Sequence, residues 1–117
     1  MIPSDEDFCY VTTTGRVTGR LHRIEIWYAV APDQPTIYLL AGGRERSDWV
    51  RNLAATPRCT IEIAARSYSG TARVLQPGTD EDGVARDLVH DKYTQGDDLV
   101  AWRAEALPVA IDLTDAQ

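Results

Sequence analysis

The sequence predicts a mainly β protein: a small antiparallel β-barrel with peripheral helices, in a single domain spanning residues 1–117. Six short segments are rich in β-branched and aromatic residues, and short connections marked by Gly and Pro separate them. Only two to three segments have helical spacing of apolar residues. At 117 residues, the chain is large enough for one core without disulfide staples. Closing the strands into a barrel would remove most exposed sheet edges.

The first half of the chain predicts three strands, at residues 8–13, 24–28 and 36–41. The first ends at a glycine-rich turn, and the second alternates apolar residues with Glu25 and Trp27. The third halts at the pair Gly42 and Gly43. We expect these strands to form a meander, with the two glycine-bearing connections at the same end of it, because consecutive antiparallel strands reverse direction.

The second half predicts three helices and three more strands. Ser47 is expected to cap a helix over 48–55, and Thr79 one that runs to about residue 93. A shorter helix is expected over 98–105. The strands are expected at 60–64, at 68–75 with a bulge at Gly70, and at 107–113 on a sheet edge near Pro108.

A basic turn at residues 15–20 is the strongest candidate for a binding site. Its glycines permit a close backbone approach to a ligand, and Arg16, Arg20 and the nearby Arg23 offer planar donors to phosphate or carboxylate oxygens. The chain as a whole carries 12 Lys and Arg against 18 Asp and Glu, a net charge of −6. A local basic cluster on an acidic protein favours a small anionic ligand and argues against nucleic acid. The predicted helix N-terminus after Arg44 is a second place suited to an anion.

Other sequence features predict a cytoplasmic protein without a metal. No apolar run reaches the length of a membrane helix, and the first residues lack the regions of a signal peptide. Cys9 and Cys59 lie in strand-like contexts and are expected to be buried free thiols. His22 and His90 stand alone, so no metal-ligand spacing is present.

The order of these motifs resembles the deazaflavin-dependent nitroreductase family, also called the F-420H2-dependent quinone reductase family. The resemblance covers residues 8–113, and its most specific parts are GR-x-[ST]-G-[RQ] at 15–20 and D-W-x-x-N-L-x-A-x-P at 48–57. It implies a split β-barrel similar to FMN-binding folds. It also implies a hydride transfer from reduced coenzyme F-420 to a small hydrophobic acceptor such as a quinone, nitro or enone compound, with the cofactor carrying the chemistry.

The resemblance also implies three groups of coenzyme contacts. The phosphate and tail carboxylates would lie on the turn residues Arg16, Thr18, Gly19 and Arg20, and on His22, which stands where the family often has arginine. The ring pocket would be lined by Glu25, Ile26 and Trp27. Further contacts would come from the connection after the third strand and from the helix that follows it, at Ala41, Gly42, Gly43, Arg44, Trp49 and Asn52.

Two catalytic roles and a lid complete the expectations. His22, and less directly the hydroxyl of Tyr28, would donate a proton or hydrogen bond to the acceptor as charge develops on it. Tyr93 and Trp102 are the candidates to cover the acceptor. By analogy with barrels of this size, a homodimer is expected.

Two alternatives stay open at the level of sequence. The same turn suits FMN, which would make the protein a flavin-dependent enzyme or carrier. Alternatively, the barrel binds a lipid or other hydrophobic ligand without catalysis. Val17 motivates this alternative because many relatives have lysine there, and Glu25 does so because an acid is unfavourable beside a polyanion.

Overall fold

The computed structural model describes residues 2–93 and 99–116, which fold into one antiparallel sheet with three helices. In chain order, the strands are β1 (Cys9–Thr14), β2 (Leu21–Ile26), β3 (Ala29–Val30), β4 (Thr36–Ala41), β5 (Arg58–Ile63), β6 (Arg66–Val74) and β7 (Leu107–Ala116). The helices are α1 (Asp48–Ala55), α2 (Asp80–Tyr93) and α3 (Leu99–Glu105), and a single 3-10 turn, Arg44–Arg46, precedes α1. The predicted start of the last helix at Asp98 lies outside the described residues.

The sheet is curled into a barrel with an open seam. Its strand order is β2-β1-β5-β6-β7-β4-β3, so the two edge strands, β2 and β3, follow each other in sequence. Only Trp27 and Tyr28 separate them, and a chain segment of that length spans about 10 Å at most. The edges must therefore approach each other, which confirms the predicted split-barrel fold class.

The structure corrects the strand count and the meander. The predicted strand over 24–28 is instead β2, which starts earlier and ends at Ile26, and β3 adds a seventh strand within the described residues. The alternating pattern conceals this break because Tyr28, like the isoleucines before it, points into the apolar interior. The first and third predicted strands are also not joined through the second, because β4 pairs with β3 and β7, while β1 pairs with β2 and β5.

The prediction of an edge strand near Pro108 is wrong, because β7 lies between β6 and β4. Pro108 is tolerated there by its position at the end of a ladder. Its carbonyl accepts a hydrogen bond from the Leu75 amide at 3.1 Å, just beyond the last residue of β6. In an antiparallel strand the amide and carbonyl of one residue point to the same side, so the missing N–H of Pro108 would face the position where β6 has ended.

The core has two layers, one inside the barrel and one outside it. Val50 and Leu53 of α1 pack with the inward side chains of the sheet, while Ala85 and Val89 of α2 cover the outer face of β4 and β7. All six residues of β4 are buried because both of its faces are covered. This explains why its sequence, TIYLLA, is almost continuously apolar.

The structure confirms the predicted cap at Thr79 and the predicted bulge at Gly70, but Ser47 makes no side-chain capping hydrogen bond. Thr79 caps α2 as predicted, since its hydroxyl accepts the Asp82 amide at 3.2 Å. Ser47 occupies the N-cap of α1 but makes no side-chain capping bond. Gly70 lies at the predicted bulge, where an added Cβ would come within 2.5 Å of Ile111.

An arginine clamp ties α2 to the sheet. Arg73 on β6 donates to Glu81 at 2.8 and 2.9 Å and to Asp112 on β7 at 2.6 and 3.0 Å. These hydrogen bonds lower the pKa of both carboxyl groups. Tyr38 and Thr36 add hydrogen bonds to the same two acids, so the clamp also reaches β4.

Both cysteines are buried free thiols, as predicted. Burial raises the pKa of Cys9 to about 12 and that of Cys59 to about 11. Both sulfurs therefore stay protonated at neutral pH and act as small apolar core residues.

Candidate functional site

The basic turn is a compact loop closed by its own backbone. The Gly15 amide donates to the Arg20 carbonyl at 2.7 Å, and the Gly19 amide donates to the Gly15 carbonyl at 2.9 Å. Gly19 has a φ of 77° at the exposed tip, a conformation that favours glycine. Gly15 is buried beneath the His22 ring, and an added Cβ there would lie 2.7 Å from Nε2 of His22.

Arg16 fastens this turn to helix α1. Its guanidinium donates to Oδ1 of Asn52 at 2.8 Å and pairs with Asp48 at 3.2 Å, and its backbone amide donates to the same Asn52 oxygen at 3.2 Å. The Asn52 amide nitrogen in turn donates to the hydroxyl of Thr13 at 3.1 Å. Asn52 and Thr13 are both buried, so this group, the Asn52 latch, joins β1, the turn and α1. The contacts of Arg16 with Asp48 and Asn52 confirm that the basic turn and the start of α1, which follow the two glycine-bearing connections, lie at the same end of the sheet.

A cavity of about 610 Å³ opens between β2 and α1, and we call it the basic groove. It is lined by the turn, the start of β2 and one side of α1: Thr13, Gly15, Arg16, Val17, Thr18, Leu21, His22, Arg23, Ile24, Asp48, Trp49 and Asn52. Five residues predicted as contacts therefore line one cavity: Arg16, Thr18, His22, Trp49 and Asn52. Gly19 and Arg20 lie beside it on the turn rather than in its wall. The side chain of Arg20 forms no ion pair or hydrogen bond with the described residues.

The acid at position 25 is partnered on the outer face of the sheet. Glu25 accepts a hydrogen bond from Tyr10 at 2.8 Å, which raises the pKa of Tyr10. Arg23 lies over the Tyr10 ring, 4.1 Å from its centroid, and pairs with Glu62 at 3.0 Å. Arg23 is therefore already engaged by two neighbours, and Glu25 is held by Tyr10 rather than by a ligand-facing arginine.

A second, mostly apolar cavity of about 490 Å³ adjoins the basic groove, and we call it the aromatic seam. It lies where the barrel is open and is lined by Phe8, Glu25, Ile26, Trp27, Leu40 and Trp102. The two cavities are neighbours along β2, since Ile24 lines the groove and the next two residues line the seam. Glu25, Ile26 and Trp27, which the resemblance assigns to the ring pocket, all line this cavity.

Trp27 is held between the two residues named as lid candidates. Its ring stacks on Tyr93 at a centroid distance of 4.3 Å and meets Trp102 edge-on at 5.6 Å. The Tyr93 hydroxyl donates to the Asp7 carbonyl at 2.7 Å, and this hydrogen bond fixes the position of the Tyr93 side chain. Tyr93 therefore supports Trp27, while Trp102 forms part of the wall of the seam.

Neither of the two expected proton donors, His22 and Tyr28, lines the aromatic seam. His22 lies in the wall of the basic groove, away from the seam. Tyr28 is fully buried, and its hydroxyl donates to the Pro3 carbonyl. Burial also raises the pKa of Tyr28. The structure therefore does not support Tyr28 as a hydrogen-bond donor to the acceptor, because its hydroxyl is buried and already donates to the Pro3 carbonyl.

The connection after β4 does not line either cavity. Ala41 is buried in the barrel, Gly42 lies against Trp102, and Gly43 against Ser47. Arg44 has a φ of 51° and donates to the Glu105 carbonyl at the end of α3. These residues position Trp102 and the start of α1 rather than facing the basic groove.

Several lining residues were missed by sequence reasoning. Phe8 and Leu40 line the seam, and Thr13, Leu21 and Ile24 line the groove. Phe8, directly before β1, and Leu40 on β4 give no local signal, because the pattern predicts that an apolar residue in a β-rich segment belongs to the core. Ile24 could have been predicted, because it lies two residues from both His22 and Ile26 and therefore on the same face of β2 as these two predicted contacts.

The curled sheet, with its two edge strands brought together by a two-residue connection, is a split β-barrel. The model of the F420H(2)-dependent quinone reductase family matches residues 4–114, and the chain belongs to that family of oxidoreductases. The match supports coenzyme F420 and gives no support to FMN. No curated protein sequence matches the chain. No helix among the described residues is long and apolar enough to cross a membrane.

Solved structures of low sequence identity share the fold. An F420-H2 dependent reductase, FDR-A, is 18% identical with a TM-score of 0.71, and the alignment covers 97% of this chain and 98% of that one. The heme storage protein HutZ from Vibrio cholerae is 10% identical with a TM-score of 0.74, covering 93% and 82%. A structure described as a domain-swapped dimer is 20% identical with a TM-score of 0.70, covering 94% and 81%.

Proposed function

We propose that the protein transfers a hydride from reduced coenzyme F420 to a small hydrophobic acceptor such as a quinone, nitro or enone compound. The observation that carries the proposal is the adjacency of the basic groove and the aromatic seam along β2. A coenzyme with an anionic tail and a flat ring system needs these two environments side by side. When bound, the coenzyme supplies the hydride chemistry.

The anionic end of the coenzyme is assigned to the basic turn. Arg20 is its best candidate, because its guanidinium has no partner among the described residues and lies on the exposed turn. Thr18 and His22 line the groove next to it and offer further hydrogen-bonding atoms. Arg16 holds the turn onto Asn52 and Asp48, so we assign it chiefly a positioning role. Gly19 gives the exposed tip the positive φ that the turn needs.

The ring is assigned to the aromatic seam. Ile26 and Trp27 offer an apolar and a flat aromatic surface, and the stack on Tyr93 fixes the orientation of Trp27. Trp102 and Phe8 cover the same cavity and would exclude water from the reacting atoms.

We assign His22 an anion contact rather than proton donation. Its ring stands in the groove above Gly15, whereas the acceptor would occupy the seam. The ring nitrogens of an imidazole can donate hydrogen bonds to a phosphate or carboxylate oxygen. Comparing coenzyme affinity in wild type and His22→Gln tests this role, and an unchanged affinity would contradict it.

The experiment for the main proposal is a titration of reduced and oxidised coenzyme F420, with FMN in parallel. Arg20→Ala is expected to weaken coenzyme binding by about tenfold to a hundredfold, the range for losing a charge-assisted hydrogen bond. The matched control is Arg58→Ala on β5, an exposed arginine outside both cavities, which should change affinity less than twofold.

Three results would contradict the proposal. Binding of FMN alone would move the protein to the flavin class. Binding of neither coenzyme would favour a barrel for hydrophobic ligands. Binding without oxidation of the reduced coenzyme by any quinone, nitro or enone compound would remove the assigned acceptor class.

We also propose that the protein forms a homodimer. The support is the fold shared with the structure described as a domain-swapped dimer. Light scattering coupled to size exclusion gives the mass directly, and a value near the 13.0 kDa of one chain would refute the dimer.

A further inference from the structure

Three aromatic side chains line the aromatic seam, and Phe8 differs from the other two. Trp27 and Trp102 meet edge-on at 5.6 Å, and Trp27 also stacks on Tyr93 at 4.3 Å. Phe8 makes no ring contact with the residues that the structure describes, and it is 39% exposed although it is large and apolar. The fold therefore leaves part of an aromatic ring uncovered in the wall of the seam.

The backbone of Phe8 is held on both sides. On its N-terminal side, the Asp7 carbonyl accepts the hydrogen bond of the Tyr93 hydroxyl at 2.7 Å. On its C-terminal side, Cys9 is fully buried and pairs with Ile26 of β2. A ligand that packs on the Phe8 ring therefore requires little reordering of the chain.

Phe8 lies beside the end of β2 that is far from the basic turn. The pairing of Cys9 with Ile26 places Phe8 next to Trp27, one residue beyond the paired strands. From Arg20 to Trp27 the chain advances seven residues, a span of about 23 Å in an extended strand. A coenzyme held at the turn by its anionic end would enter the seam past Ile24, which leaves the far end, at Phe8, for the acceptor.

The wall at this end of the cavity favours a neutral, flat molecule. Glu25 is the one charged side chain in the lining of the seam, and it accepts a hydrogen bond from Tyr10. An aromatic ring gains more from an offset or edge-to-face contact with a second flat ring than area alone accounts for. A planar quinone or nitroaromatic ring can make such a contact with Phe8, whereas a saturated ring cannot.

We propose that Phe8 is an acceptor-contact residue that selects planar aromatic or quinoid acceptors over saturated or puckered ones, with Tyr93 as its positioning residue. The Tyr93 hydroxyl holds the residue before Phe8, while the Tyr93 ring supports Trp27. This inference rests on the proposed function and deepens it, because it narrows the class of acceptor at the same site. Phe8 contributes binding and orientation, and the hydride transfer is that of the proposed function.

The first test needs no coenzyme and compares two ligands in two proteins. Menadione, a flat bicyclic quinone, and decalone, a saturated bicyclic ketone, are titrated into wild type and Phe8→Leu. Binding is read from the indole N–H signals of Trp27 and Trp102 in NMR spectra. Leucine keeps an apolar side chain in the wall but has no aromatic ring, so the ratio of menadione to decalone affinity is expected to fall about threefold to tenfold.

Two further variants serve as a positioning test and as a control. Tyr93→Phe keeps the stack on Trp27 but removes the hydroxyl that holds Asp7, so the ratio should fall in the wild-type background and fall no further in Phe8→Leu. Val84→Ala removes an exposed apolar side chain outside the groove and the seam and should leave the ratio unchanged. Thermal unfolding checks that each variant is folded.

The second test measures turnover with reduced coenzyme F420. Phe8→Leu is expected to raise the KM for menadione about threefold to tenfold and to change the coenzyme Kd less than twofold. Failure of wild type to bind or oxidise the coenzyme would refute the proposed function. Such a failure is distinguished from failure of the contact with Phe8, because the first test contains no coenzyme.

An unchanged affinity ratio in Phe8→Leu would overturn the proposal, and so would the absence of a menadione-induced shift at Trp27 in wild type. A coenzyme affinity that falls more than the menadione affinity would overturn it as well and place Phe8 in the coenzyme site. An unchanged ratio in Tyr93→Phe would overturn the positioning role of Tyr93. A ratio lowered in Phe8→Leu and in Tyr93→Phe, but not in Val84→Ala, would support the proposal.

Discussion

Replacing Asn52 with alanine tests how the basic turn is held. Asn52 is 3% exposed, accepts two hydrogen bonds from Arg16 and donates one to the buried hydroxyl of Thr13. The substitution removes a charge-assisted hydrogen bond and leaves Thr13 without its donor, which together cost about 2–4 kcal/mol of unfolding free energy. For a chain of this size we expect the melting temperature to fall by about 8–15 °C.

Two control variants separate the parts of this effect. Asn52→Asp keeps an acceptor for Arg16, and the hydroxyl of Thr13 can rotate to donate to it, so at neutral pH it should lose less stability than the alanine variant. Asp48→Ala removes only an ion pair whose acid is 85% exposed, and it should cost less than about 1 kcal/mol.

The assay combines denaturant unfolding with amide hydrogen exchange across residues 15–20. Faster exchange at the turn is expected in Asn52→Ala, and coenzyme affinity should fall with it because the anion-binding atoms lose their support. A loss below about 1 kcal/mol with unchanged exchange at the turn would refute the reasoning.

Two further predictions concern the turn and the clamp. Gly15→Ala should destabilise the protein more than Gly19→Ala in denaturant unfolding, because the first Cβ would meet a side chain at 2.7 Å while the second has open space and only a strained φ of 77°; equal losses would contradict this. Arg73 lowers the pKa of Glu81 and Asp112, so its contribution is complete above their ordinary values of 4.5 and 3.8 and is lost as pH falls through the lower folded values. Arg73→Met should therefore cost about 1 kcal/mol or more at pH 7 and little near pH 2, and parallel stability curves across this range would argue against the clamp.

The β-rich barrel was predictable because its signals are local. Alternation, β-branched residues and Gly or Pro punctuation each report the state of a few neighbouring residues. The bulge at Gly70 and the cap at Thr79 were predictable for the same reason. The break after Ile26 was not, because a buried tyrosine two residues later continues the alternation across it.

Strand order was beyond local signals. The place of β7 in the middle of the sheet depends on pairing with β4 and β6, both distant in sequence. A proline in the strand therefore indicated an edge, although the ladder beside it had already ended.

The sequence by itself determined the fold class, the basic turn and the helix motif that marks the family. Tertiary structure alone decided how those parts are used. Arg16 is engaged by a residue 36 positions away, which leaves Arg20 as the arginine of the turn with no described partner. The seam joins Phe8, Leu40 and Trp102 from three separate parts of the chain. A side chain's partners are set by which strands and helices meet, and periodicity in the sequence records only which face of its own element each residue occupies.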